Sequence, residues 1–130
     1  MNAALLALPI LALATATGLA AGPGERAEGS YERAGAYSQS AKVIVMDAPD
    51  DFAASFQTST AGCVGSVGAL GKATGPREIV FTKRDETGGL CRLTMRFTPD
   101  FRSAEISEDK CLYWHGAACD FSGRLKRVGR

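Results

Sequence analysis

The sequence contains a single histidine, His115, and that scarcity removes most of the acid–base chemistry available to a small protein. A serine or cysteine nucleophile needs a neighbouring base. The only candidate lies in CLYWHGAACDFSG, where a glycine follows it and an exposed turn is expected. Adjacent acids occur at Asp50-Asp51, Asp85-Glu86 and Glu108-Asp109, but each pair falls in an expected turn, whereas paired catalytic carboxylates face one another across a cleft. Neither an enzyme nor a bound cofactor is expected. Cys-x-x-Cys spacing is also missing, so no metal site is expected. An excess of one charge is missing too: 15 Lys plus Arg stand against 14 Asp plus Glu, which gives no general affinity for nucleic acid or an anionic membrane. No apolar run reaches the ~20 residues that cross a bilayer. The stretch Ala3 to Leu13 is shorter, and Pro9, Thr15, Thr17 and Gly18 break it and the segment that follows. No membrane anchor is therefore expected.

That same start has no charged side chain and passes from apolar to small residues, MNAALLALPILALATATGLAAG, which is the pattern of a secretory signal peptide. No Lys or Arg precedes its apolar run. Residues 1–20 are expected to be removed after Gly18-Leu19-Ala20, leaving a soluble periplasmic or secreted chain from Ala21. All four cysteines, Cys63, Cys91, Cys111 and Cys119, lie in that mature part. In a small exported chain they imply two disulfides, with three possible pairings. Ease of loop closure favours Cys63 with Cys91 and Cys111 with Cys119, bonds that would contribute about 3.5 and about 2.5 kcal/mol in a chain-entropy treatment.

Residues 21–29, which include GPGERAEG, read as a flexible leader, and residues 30–128 as one β domain. Strand-favouring runs recur between turn signals, with no sustained helical period: Tyr31, Lys42 to Asp47, Phe52 to Ser59, Arg77 to Lys83, Leu90 to Thr98, FRSAEISE and CDFSGRLKRV. In LCRLTMRFT, Cys91, Leu93, Met95 and Phe97 share one face, opposite Arg92, Thr94 and Arg96, as in a half-buried strand. YERAGAYSQSA reads as a loop. GCVGSVGALGKATG invites comparison with a phosphate-binding loop, but Ser66 and Ala73 occupy the positions where that loop requires glycine and a hydroxyl. Period two fits it better, with Cys63, Gly65, Val67 and Ala69 on one face of a sharply curved strand. The fold expected is all-β: a small antiparallel β-barrel of seven or eight short strands, or a sandwich, stapled by two disulfides.

The Cys111 to Cys119 loop carries Tyr113, Trp114 and His115. Aromatic residues on a rigid loop can anchor an interface, or they can fold back and plug a barrel end. GRLKRVGR, with Arg124, Lys126, Arg127 and Arg130, reads as a solvated strand end and frayed tail. CLYWHGAACDFSGRLKR, together with GCVGSVG and LCRLTMRF, resembles a loose group of small exported bacterial proteins whose chains end in a cysteine-bearing loop, a Gly and a Phe-x-Gly strand closing on a basic residue. A similar ending accompanies lysozyme inhibitors of the LprI type. Ser122-Gly123 are also similar to the start of the Ser-Gly-x-x-Tyr motif of periplasmic inhibitors of c-type and i-type lysozymes, small β-barrels that contact the lysozyme cleft. Here Lys126 stands in place of the tyrosine. The resemblance implies an interaction protein presenting Tyr113, Trp114, Ser122, Arg124 and Lys126 to an envelope or extracellular protein such as lysozyme. The alternative is a lipocalin-like carrier of a small apolar ligand among Phe52, Phe56, Phe81, Met95 and Phe97.

Overall fold

A computed structural model of the chain describes residues 21–130; the expected signal peptide, residues 1–20, lies outside the described residues. Eight strands follow one another as β1 Gly29–Arg33, β2 Ser38–Val45, β3 Asp51–Thr60, β4 Cys63–Gly75, β5 Glu78–Arg84, β6 Leu90–Phe97, β7 Ser103–Asp109 and β8 Gly123–Gly129. Each pairs antiparallel with its neighbours in sequence, and β8 pairs back onto β1. The sheet is thus a closed up-and-down barrel rather than a sandwich, and closure leaves few free sheet edges.

The period-two pattern explains the inside and the outside of this wall. In β6, Cys91, Leu93, Met95 and Phe97 are buried, and the residues between them face outward. In β4, Cys63, Val67, Ala69 and Gly71 point inward, as the curved-strand reading expects. A Cβ at Gly71 would lie 2.5 Å from the Phe81 ring, so the bare backbone makes room for an aromatic neighbour. Phe52, Phe56, Phe81, Met95 and Phe97 pack among Tyr31, Leu93 and Leu125, with Phe56 and Phe81 edge to face at 5.3 Å between centroids. An eight-stranded barrel is just wide enough to be filled by its own side chains.

Two local readings change. YERAGAYSQSA is not a loop throughout: the last three residues of β1, Tyr31 to Arg33, and the first four of β2, Ser38 to Ala41, lie within it, and only the turn around Gly35 is irregular. Its polar residues alternate, which a small apolar count concealed. The segment read as a leader is packed. A 3₁₀ turn over Gly24–Ala27 buries Ala27 completely, and the Tyr31 hydroxyl donates to the Ala27 carbonyl at 2.9 Å.

The disulfide pairing expected from loop closure is also wrong. Cys63 bonds to Cys119 and Cys91 to Cys111, with Cα separations of 5.9 and 4.4 Å. Strand order is the reason. Cys63 begins β4 and Cys91 lies near the start of β6, so β5 stands between them. Two strand spacings, roughly 10 Å, exceed the span of a disulfide. Two disulfides in so small a domain point to an oxidising, extracytoplasmic compartment.

All the bonds to cysteine lie at one end of the barrel. The opposite end is closed by Arg127, which is not a frayed tail residue. Its guanidinium donates to the carbonyls of Phe101 (3.0 Å), Glu28 (2.8 Å) and Arg26, and to the Tyr31 hydroxyl (2.6 Å). Burial pushes the Tyr31 phenol pKa up, against the opposing pull of the Arg127 charge and hydrogen bond. Phe101, at φ 57°, takes the left-handed conformation of the β6–β7 turn. Its ring stacks on Phe97 at 5.1 Å, and the Arg26 guanidinium lies 4.2 Å from its centroid.

Candidate functional site

The loop between β7 and β8 is the longest connection among the described strands, and each of its two cysteines is fixed to a different strand. Cys111 ties its start to β6, and Cys119 ties its far side to β4. Between them, a 3₁₀ turn over Leu112–Trp114 lies against β4. The chain then runs beside β4 itself: His115 bridges to Gly65, and the Gly116 amide donates to the Val64 carbonyl at 3.2 Å. Gly65 permits this approach, since a Cβ there would come within 2.3 Å of the His115 Cβ. A Cβ at Gly116 would sit 2.7 Å from the Cys63 sulfur. Small residues on both sides therefore set how closely the loop docks.

His115 is not an exposed turn residue. Its side chain is 5% exposed, with Nε2 2.8 Å from Glu108 Oε1 and Nδ1 2.7 Å from the Gly116 carbonyl. Both neighbours are acceptors, so both ring nitrogens are satisfied as donors only in the imidazolium form. Burial is the largest single influence and pulls the His115 pKa down. The Gly116 carbonyl, the hydrogen bond and charge of Glu108, and the charge of Asp120 together outweigh it, and the net direction is up. The second Glu108 oxygen accepts from the Phe121 amide at 2.8 Å, and the Phe121 ring meets the imidazole edge to face. Both ring nitrogens are committed to holding the loop, and neither faces a hydroxyl or thiol.

The five residues proposed for binding fall into three places. Tyr113 is 50% exposed, beside Leu112 at 64%. Trp114 turns back onto the core, its ring T-shaped to Tyr113 at 5.0 Å between centroids. Of this aromatic pair, Tyr113 faces solvent and Trp114 packs against the core. Ser122 is tied inward: its hydroxyl accepts from the Glu108 amide at 3.1 Å, and its carbonyl accepts from Gln39 at 2.7 Å. Arg124 and Lys126 face outward along β8, on the opposite side of the barrel from β4. Arg124 lies 3.6 Å from Glu105, and Lys126 stands across the strand pair from Glu32. The loop residues and the β8 cations do not form one surface.

No family model, curated protein or solved structure matches the chain.

Several residues that build the site escaped the sequence reading. Tyr37 donates to Asp120 Oδ1 at 2.8 Å and accepts from the Asp120 amide at 2.8 Å, fastening the β1–β2 turn to the foot of the loop. Gln39 is buried, and a Cβ at Gly123 would strike its Oε1 at 2.3 Å. The available signal was the Phe-x-Gly spacing itself, where a glycine inside a strand marks a close approach. Exposed Val64 and Leu112 were likewise passed over.

Proposed function

We propose that the protein is an exported interaction protein, periplasmic or secreted, which acts through the Cys111–Cys119 loop on an envelope or extracellular protein. A cell-wall lytic enzyme such as lysozyme is the specific candidate. The observation that carries this reading is a loop pinned at both ends by disulfides and presenting Leu112 and Tyr113 to solvent. An aromatic anchor on a segment already ordered loses little conformational entropy on binding, which is how a small contact area can bind tightly. Blocking a partner's cleft with that projection would be the mechanism. The carrier alternative needs a cavity lined by Phe52, Phe56, Phe81, Met95 and Phe97, and these side chains are packed against one another.

Inhibition of c-, i- and g-type lysozymes by the oxidised protein tests the proposal. A Leu112→Ala, Tyr113→Ala variant is expected to lose at least tenfold in inhibition, a change of about 1.4 kcal/mol. An Arg124→Ala, Lys126→Ala variant is expected to retain it. Loss confined to the β8 variant would move the site to that strand, and no inhibition of any lysozyme type would remove the lysozyme assignment.

A further inference from the structure

The outer wall formed by β2 to β5 has an apolar middle and charge divided between its two halves. One cross-strand row reads Ile44, Ala53, Leu70, Thr82 in direct register. Leu70 is 65% exposed and Ile44 45%, with small Ala53 between them. Next to this row, toward the disulfide end, Ser55 and Gly68 form the floor of an open groove of about 730 Å³. Its charged lining residues are Lys42, Lys83 and Arg84, all cationic. Arg84 also donates to the Gly88 carbonyl. Asp85, in the turn beyond, accepts from the Thr87 and Gly89 amides, and Glu86 beside it is exposed.

On the other side of the row the groove continues for about 590 Å³ past Met46, Val80 and Lys72, and acids appear there. Asp47 and Asp51 line it, and Asp50 lies in the same β2–β3 turn. Lys72 is taken up by Asp51 at 2.6 Å. Arg92, at the edge, faces Asp109 across β6 and β7. Toward the disulfide end Lys42, Lys83 and Arg84 outnumber the turn acids Asp85 and Glu86, and toward the Arg127 end Asp47, Asp50 and Asp51 outnumber Lys72 and Arg92, so the two halves differ in sign with an apolar belt between them.

We infer that this wall is a self-association surface and that its occupant is a second copy of the same chain. A two-fold axis lying along the Ile44–Ala53–Leu70–Thr82 row brings the belt against its own copy and turns each cationic half onto the partner's acidic half. Such a face is self-complementary, as an isologous interface requires. A partner of one charge would match half of the wall and be repelled by the other half. Strand addition is not the mode, because β2, β3 and the row itself are hydrogen-bonded to strands on both sides. The inference uses a face separate from the disulfide loop and does not depend on the function proposed above.

Sedimentation equilibrium of the oxidised protein across the micromolar range, at low and high salt, tests it. A monomer–dimer equilibrium that weakens with salt is expected. Leu70→Asp should weaken it at least tenfold. Gly68→Tyr should do the same by propping the faces apart; nothing lies within 4 Å of a Cβ at Gly68, so the barrel accommodates the ring. Lys42→Glu should weaken the dimer, and Asp47→Lys added to it should restore affinity. Circular dichroism and thermal unfolding of each variant at concentrations where all are monomeric check that the fold is intact. A monomer at every concentration overturns the inference. So does a dimer indifferent to Leu70→Asp and Gly68→Tyr, or a wall that binds a different molecule while the chain stays monomeric.

Discussion

At one end of the barrel, two covalent bonds and a buried His115–Glu108 pair hold a loop that crosses the opening. At the other, one arginine gathers three backbone carbonyls and a tyrosine hydroxyl from the first described segment and the β6–β7 turn. The two solutions answer different needs. The arginine clamp closes the β1–β8 seam, and its hydrogen bonds go to the backbone of the 3₁₀ turn and the β6–β7 turn and to the Tyr31 hydroxyl. The disulfide end fixes a projecting segment whose exposed residues, Leu112 and Tyr113, contribute little to the core. Both ends thus stabilise the barrel, and the disulfide end also holds Leu112 and Tyr113 at the surface.

The disulfides carry the largest expected loss. With sequence separations of 56 and 20 residues, the chain-entropy treatment assigns about 4 kcal/mol to Cys63–Cys119 and about 3 kcal/mol to Cys91–Cys111. Denaturant unfolding of Cys63→Ala, Cys119→Ala and of Cys91→Ala, Cys111→Ala double variants should show losses in that order. The opposite order would mean that the loop contributes less to the folded state than its bonds suggest.

Arg127→Met is next, at about 3 kcal/mol, because each hydrogen bond to a charged group is worth ~1.5–3 kcal/mol and the losses overlap. Arg127→Lys should recover less than half of this, since an ammonium cannot reproduce the guanidinium fork. Full recovery in the lysine variant would reduce the clamp to a simple charge effect.

The smallest effect separates the two ends by pH. A His115 pKa raised in the folded state contributes stability that is fully present below the unfolded value of about 6.5 and is lost as pH rises through the folded value. Unfolding free energy should therefore fall as pH rises from about 6.5 through the raised folded value, and the fall should vanish in His115→Gln. Among the described residues the Arg127 end carries no histidine. A slope that persists in the variant would place the titrating group elsewhere.

The wall of the barrel was legible because a strand exposes its alternation directly: Leu93, Met95 and Phe97 had only to be read two apart. Strand pairs in chain order then followed from short turns. The ends were less legible because they depend on contacts between distant segments. Cys63 meets Cys119, not Cys91, because β5 intervenes, and loop length carries no information about which strand lies between two cysteines. His115 looked exposed beside a glycine. It is buried because another glycine, Gly65, stands across from it with no side chain. Arg127 looked like one of several terminal cations, and only its placement at the seam distinguishes it from Arg124 and Lys126. The apolar Ile44 and Leu70 were legible as residues but not as neighbours until β2, β3 and β4 were set in register.

The different reach of the two disulfides also orders their formation. Cys91 and Cys111 flank the β6–β7 pair, in which Arg92 already stands opposite Asp109. A single hairpin brings these thiols together. Hairpins form on the order of microseconds, and thiol oxidation takes seconds or longer, so that bond locks a geometry already sampled many times. Cys63 and Cys119 meet only after the sheet has curled far enough for the last loop to arrive beside β4. Their oxidation is a late event, and a chain that carries it bears a covalent record that its barrel once closed.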